Sequence, residues 1–180
     1  MRLVTFVDPA GRYRIGALVP DRGASDIVDL NTAYALYLHD AKSEARFREM
    51  ADARVPTDMR ALFEGGDQSL NAAQQALEHA LDHRHTCGPS GEPVFYSRDA
   101  VKVKAPIIPK KFFHTAGNFR EHHEEATKAG FSHPVLPWIV FFQNVDAIIG
   151  DGEPVVFPPH LTQELDYELE LAVVLKKAGR

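Results

Sequence analysis

The first candidate for chemistry is a histidine with a carboxylate three residues later. His122 and Glu125 follow the pair Gly117-Asn118. Residues three apart are neighbours on a helix, so the spacing suits a helix over residues 120–128. A carboxylate beside an imidazole fixes its tautomer and raises its basicity, which is the minimal arrangement for a general base acting on water. The alternative is an exposed polar helix whose His and Glu form a weak surface pair.

The second candidate is the acidic segment 165–175. Its odd positions are all apolar, while Asp166, Glu168 and Glu170 occupy successive even positions. This alternation predicts a β-strand with acids on one face. Residues two apart on a strand lie about 6.5 to 7 Å apart, so Glu168 and Glu170 could converge on a hard cation, which prefers oxygen ligands. The alternative is an amphipathic strand whose acidic face is solvated.

The elements around His122 are predicted from turn and capping signals. Gly117 and Asn118 suit a turn out of a short strand that contains Phe112-Phe113, and Asn118 can cap the helix that Gly130 ends. His114 is interpreted as a hydrogen-bonded structural histidine, and Phe141-Phe142 as core residues of a strand over 138–142.

The first hundred residues combine short strands with helices. Strands are predicted over 2–7, 12–19 and 27–30, and helices over 31–41, 43–53, from 56 to the Gly65-Gly66 pair, and from there to about 83. The Gly- and Pro-rich loop 88–93 marks the far side of this part. The predicted fold class is therefore α+β: a small N-terminal α+β domain over 1–100, followed by the start of a mostly β domain over 101–180.

Composition is that of an ordinary globular protein. The 180 residues are 44% hydrophobic and 25% charged. A formal net charge of −5 offers no basic field for nucleic acid or an anionic membrane. A single cysteine excludes an internal disulfide, and no apolar stretch has membrane-spanning length, so a cytoplasmic location is expected.

Together, three motifs resemble the fumarylacetoacetate hydrolase family. They are the Gly-Asn-aromatic-x-x-His-x-x-Glu turn and helix at 117–125, the segment Asn-Val-Asp-Ala-Ile-Ile-Gly at 144–150, and the Asp-Tyr-Glu-x-Glu strand at 166–170. The resemblance covers 105–180 well and 1–104 more loosely, as the small N-terminal domain that many members carry. It implies a fumarylacetoacetate-hydrolase-like catalytic domain.

The resemblance also implies roles for individual residues. Glu168 and Glu170 would hold Mg²⁺ or Mn²⁺, and His122 and Glu125 would orient and deprotonate a water. The family usually has a lysine where this chain has Gln143, a substrate-binding residue that can donate a hydrogen bond but brings no positive charge. The family's third metal ligand is an aspartate well downstream of the Glu pair. The pattern favours a piece of a longer protein over a naturally short chain.

The expected activity is metal-dependent hydrolysis of a C–C bond in an acylpyruvate or related 1,3-dicarbonyl or 2-oxo acid. Water activated by His122 and Glu125 would attack one carbonyl, leaving an enolate that the ion stabilises. The alternatives are decarboxylation or isomerisation of a 2-oxo diacid through the same enolate, or a binding subunit without catalysis, which Gln143 would support. A homodimer is expected, because the apolar positions of 169–175 need a partner surface.

Overall fold

A computed structural model describes residues 1–19, 26–83, 87–117, 119–130 and 139–176. The chain separates into two compact units, one formed by Met1–Ile107 with Ile149–Arg180 and the other by Ile108–Ile148. Helices and antiparallel strands are both present, which confirms the predicted α+β class. In the described parts of the chain, no helix combines the length and apolar character needed to cross a bilayer.

The first unit is built on a five-stranded antiparallel sheet. Its strands are β1 (Leu3–Val7), β2 (Tyr13–Val19), β3 (Asp26–Asp29), β4 (Phe95–Ser97) and β5 (Lys102–Lys104), in the spatial order β4-β3-β2-β1-β5. The hairpin between β1 and β2 is closed by Asp8, whose carboxylate accepts the backbone N–H groups of Ala10 and Arg12, each at 2.9 Å. The Asp-Pro-Ala-Gly segment at 8–11 consists of residues that turns prefer and so predicts a hairpin, which the structure confirms.

Four helices lie between β3 and β4 in the chain. They are α1 (Leu30–Lys42), α2 (Phe47–Arg54), α3 (Met59–Glu64) and α4 (Gly66–His83). Their apolar faces and the sheet residues Ile15, Ala17 and Val28 form the main core. A smaller cluster that includes Phe6 and Tyr96 lies on the other face of the sheet, as the alternation of side chains along the strands requires.

A polar network fixes the start of α1. The Asp29 carboxylate accepts the Thr32 backbone N–H at 2.9 Å and so caps the helix. The Arg14 guanidinium donates to both Asp29 carboxylate oxygens, at 2.6 and 2.9 Å. The Asp29 carboxylate is almost fully buried. The helix therefore begins at Leu30, with Asp29 as its cap, one residue before the predicted start at Asn31.

The second unit contains β6 (Phe112–Ala116), α5 (Arg120–Lys128) and β7 (Ile139–Gln143). Strands β6 and β7 pair antiparallel and form a two-stranded sheet. The predicted burial of Phe141 and Phe142 is wrong, because both side chains are exposed. Trp138, the first residue of the predicted strand, lies outside the described residues.

The predicted acidic strand over 165–175 is not formed. These residues take no helical or strand structure, and every one of them is exposed. A strand needs the backbone N–H and C=O groups of a neighbouring strand, and no strand among the described residues pairs with this segment. The predicted boundary between 1–100 and 101–180 stays a prediction; β5, just after it, pairs with β1 in the first unit.

Candidate active site

Helix α5 carries the predicted His-Glu pair. It spans Arg120–Lys128, which confirms the predicted bounds. Phe119 occupies the N-cap position without a side-chain hydrogen bond, and the predicted cap, Asn118, lies outside the described residues. Gly130, with a φ of +87°, follows the last turn, a conformation that favours glycine and ends the helix.

The structure places His122 and Glu125 three residues apart on α5, both exposed to solvent. None of the nine residues of the helix is buried. The Arg120 guanidinium lies 3.6 Å from the carboxylate of Glu121 and 4.0 Å from that of Glu124. The helix therefore presents a charged, hydrated surface on which an imidazole and a carboxylate occupy neighbouring positions.

Gln143 lies at the end of β7, directly opposite Phe112 on β6. Its side chain is exposed. His114 pairs with Phe141 in the same register, so the backbone positions of His114 and Gln143 are diagonal neighbours across the two strands. From the sequence, His114 was interpreted as a structural histidine. Its position near Gln143 depends on how β6 and β7 pair, and the sequence alone does not give that pairing.

Glu168 and Glu170 lie in the other unit, on the exposed segment 165–175. Their oxygen donors suit a hard divalent cation. Among the described residues, no group of three His, Cys, Asp or Glu side chains is arranged to hold a metal ion. The donor chemistry of the pair therefore fits Mg²⁺ or Mn²⁺, but two carboxylates on an irregular segment do not form a complete coordination shell.

The start of segment 149–176 is attached to β5 of the first unit. Lys104 pairs with Glu153, and Arg98 with Asp151, and these side chains line a groove of about 550 Å³. A Cβ at Gly150 would lie 2.8 Å from the Lys104 Cα, so the close backbone approach requires glycine there. Sequence alone gave no sign of this attachment, because its partners are far apart in the chain.

The structure thus brings His122, Glu125 and Gln143 into one unit and places Glu168 and Glu170 in the other. Histidine, carboxylate and amide groups in the first set can move a proton and donate a hydrogen bond. The two glutamates of the second set can bind a cation. The roles of these five residues stay predictions.

Comparison with known proteins gives consistent matches. Residues 111–180 match the fumarylacetoacetate (FAA) hydrolase C-terminal family. The whole chain is 28% identical to a fumarylacetoacetate hydrolase domain-containing protein 2 homolog of Dictyostelium discoideum, and 30% identical to a mitochondrial oxaloacetate tautomerase of Xenopus laevis. Over 72% of its length it is 32% identical to a mitochondrial oxaloacetate tautomerase of Homo sapiens.

The chain spans about half the length of the first two relatives, 48% of the Dictyostelium protein and 46% of the Xenopus protein, and 36% of the human one. The matched region 111–180 contains the His-Glu helix, Gln143 and both glutamates of the acidic segment. The match agrees with the two alignments that span the whole of this chain, and together they show that the chain belongs to the fumarylacetoacetate hydrolase family.

Proposed function

We propose that this chain is part of an enzyme that interconverts the enol and keto forms of a 2-oxo diacid such as oxaloacetate. The observation that carries the proposal is the alignment of the whole chain, at 30% identity, with the Xenopus oxaloacetate tautomerase. The His122–Glu125 pair on an exposed helix supports it, because tautomerisation needs one group that moves protons. C–C hydrolysis, the activity first expected from the sequence, becomes the second candidate.

Tautomerisation of an enol removes the hydroxyl proton and adds a proton to the neighbouring carbon, so the two steps balance. His122 accepts the first proton at one ring nitrogen and delivers a proton to carbon. Glu125, one turn further along the helix, stabilises the imidazolium formed between the two steps. Both side chains are solvent-exposed, so water can exchange protons with the pair between turnovers.

Gln143 would contact the substrate oxygen on which negative charge develops. Its amide N–H donates a hydrogen bond to that oxygen without adding a positive charge. A site with an amide in place of a cation stabilises a fully developed enolate less strongly. Tautomerisation and C–C hydrolysis both pass through an enolate, so Gln143 would have the same role in either reaction.

Members of this family generally use divalent metal ions, and Glu168 and Glu170 are the residues that would hold one here. Mg²⁺ and Mn²⁺ are the proposed ions, because both prefer oxygen ligands. When bound, such an ion supplies Lewis-acid stabilisation of negative charge on substrate oxygens.

The second candidate is hydrolysis of an acylpyruvate. It is favoured by the position of His122 and Glu125 on a hydrated helix surface, where water is the nearest available nucleophile. Water would add to the acyl carbonyl, the C–C bond would break, and a carboxylic acid and pyruvate would leave. The two candidates differ in their products: tautomerisation yields the keto isomer alone, whereas hydrolysis yields two separate acids.

The test supplies the purified protein with Mg²⁺ and, separately, with Mn²⁺. Loss of enol-oxaloacetate is followed spectroscopically while pyruvate is assayed in the same samples, and an acylpyruvate is tested in parallel. The proposal predicts accelerated loss of the enol without pyruvate release. Pyruvate from the acylpyruvate would instead support the hydrolase. Absence of all these activities would overturn both and favour a binding subunit.

A further inference from the structure

The two faces of the two-stranded β6–β7 sheet differ in chemistry. Side chains directly opposite each other share a face, and residues two apart along one strand do as well. The register therefore places Phe112, His114, Phe141 and Gln143 on one face, called the His114 face, and Phe113, Thr115, Val140 and Phe142 on the other. The His114 face combines two aromatic rings with an imidazole and an amide, whereas the opposite face is almost entirely apolar.

Two aromatic rings hold the His114 ring in place. The imidazole stacks on Phe141, with ring centroids 5.3 Å apart and planes 16° apart, and its centroid lies 4.7 Å from that of Phe112. Stacking uses the faces of the ring, whereas an imidazole donates and accepts hydrogen bonds through the two nitrogens on its edge. The two ring contacts therefore fix the direction in which the His114 nitrogens can form hydrogen bonds. This reduces the conformational entropy that the side chain loses when it binds a ligand.

We propose that His114 is a substrate-binding residue that hydrogen-bonds a carboxylate of the substrate. The second N–H of the Gln143 amide bonds the same carboxylate, while the first is directed at the oxygen on which negative charge develops. This inference rests on the proposed function, because it names what recognises the acid group of the 2-oxo diacid. Diagonal positions on paired strands lie about 7–8 Å apart, within reach of long side chains. The His114 and Gln143 side chains can therefore contact the same carboxylate from two directions.

Imidazole and amide are suited to this role whatever the tautomer of the ring. A neutral imidazole carries one N–H donor, and the Gln143 amide carries two. A carboxylate accepts several hydrogen bonds, and bonds to a charged acceptor are stronger than bonds between neutral groups. The Phe112 ring packs beside the imidazole and lies opposite Gln143 in the strand register, so it contacts the pair from one side. His114 thus provides a donor where the family's lysine is replaced by glutamine.

Two substitutions separate ligand binding from packing. His114→Phe keeps an aromatic ring between Phe112 and Phe141 but removes the donor, whereas His114→Gln removes the ring and keeps a donor. Thr115→Val is the matched control, because Thr115 is the next residue on the same strand and faces the opposite side. Circular dichroism and thermal unfolding of each variant test whether the protein still folds.

The measurements are KM and kcat for oxaloacetate tautomerisation, and calorimetric titration with oxalate, a dicarboxylate probe, in the presence of Mg²⁺. For His114→Phe we expect KM and the oxalate dissociation constant to rise roughly ten- to a hundredfold, the value of a hydrogen bond to a charged group, with little change in kcat. His114→Gln should retain more affinity than His114→Phe, and Thr115→Val should match the wild type.

The reverse order, with His114→Phe like the wild type and His114→Gln impaired, would assign His114 to packing and overturn the inference. Unchanged affinity in both variants would overturn it as well. Wild-type protein that binds oxalate through His114 without tautomerising oxaloacetate would refute the proposed function but not the carboxylate site. Wild-type protein that does neither would refute both.

Discussion

The ammonium group of Lys104 donates a hydrogen bond to the carboxylate of Glu153, forty-nine residues later in the chain. The second Glu153 oxygen accepts the backbone N–H of Gly150 at 2.6 Å. The hydrogen bond from Lys104 lowers the pKa of Glu153, and the same bond raises the pKa of Lys104. This pair attaches the start of segment 149–176 to β5 of the sheet.

The first prediction follows from these pKa directions. Because the Glu153 pKa is lowered on folding, its stabilising effect should be complete above its ordinary value of 4.5 and lost as pH falls through the lower folded value. Because the Lys104 pKa is raised, its stabilising effect should be lost as pH rises beyond 10.5.

Thermal unfolding of Glu153→Gln should show a lower Tm than wild type between these two pH limits, and the Tm values of the two proteins should converge in acid. Glu164→Gln, an exposed glutamate further along the chain, is the control. A Glu153→Gln profile parallel to wild type at all pH values would contradict the attachment.

The second prediction concerns the network at the start of α1. Arg14→Leu leaves the Asp29 carboxylate, of which 1% is exposed, without its guanidinium partner. Breaking a buried pair in this way costs about 3–5 kcal/mol of unfolding free energy. Denaturant unfolding should report that loss. Arg60→Leu, which removes an exposed pair to Glu64 at 3.6 Å, should cost about 0–1 kcal/mol. Equal effects of both substitutions would mean that the Arg14 network is not stabilising.

Elements with local signals were predicted well. Helix α5 has the predicted bounds because Gly130 ends it, and the β1–β2 hairpin forms because Asp8 and Gly11 close its turn. Helix α1 begins at Leu30, one residue earlier than predicted. Asp29 caps the helix, while the Asn31 amide donates to the Val55 carbonyl at 2.8 Å, a contact that depends on α2 and not on the local sequence.

Features that depend on distant partners were not predictable in the same way. The alternation of segment 165–175 sets which residues would share a strand face, but a strand also needs a neighbour, and the sequence does not identify one. The attachment of Glu153 to Lys104 and the placement of His114 beside Gln143 likewise depend on pairing between separate segments. Motifs in the sequence thus identify the candidate site residues. The residues that lie next to them in space are known only from the fold.

The third prediction tests the metal ligands. Calorimetric titration of the protein with Mg²⁺ or Mn²⁺ should show weak binding, because two carboxylates supply few of the six oxygen ligands or so that such ions take. Glu168→Gln combined with Glu170→Gln should abolish the signal. Asp166→Asn, in the same exposed segment, is the control and should retain it. Undiminished binding by the double variant would place the ion elsewhere.

The fourth prediction tests the base. His122→Ala should lower kcat for the proposed tautomerisation by roughly 10²- to 10⁴-fold, the usual contribution of a general base. Stability should barely change, because the His122 side chain is exposed on a helix without buried residues. The adjacent His123→Ala provides the matched control and should retain wild-type turnover. Similar losses in both variants would indicate a general effect of the substitutions on α5.

The last prediction concerns the mobility of α5. The helix buries none of its residues, so little apolar burial offsets the conformational entropy lost on forming it. Glycines with positive φ lie on both sides, Gly117 at +68° and Gly130 at +87°, and can absorb a change in chain direction. We expect α5 to open often in the ligand-free protein and to become ordered when a bound ligand contacts His122.

Hydrogen exchange measures this directly. Backbone amides of residues 119–130 should exchange fast without ligand and slow markedly with Mg²⁺ and oxalate, two of whose oxygens imitate those of an enolate. Amides of α4, which packs into the main core, provide the internal control and should be protected in both states. In His122→Ala the slowing should be reduced, because the contact that orders the helix is missing. Equal protection of 119–130 with and without ligand would show that α5 is preformed, and His122 would then act from a rigid helix without a closing step.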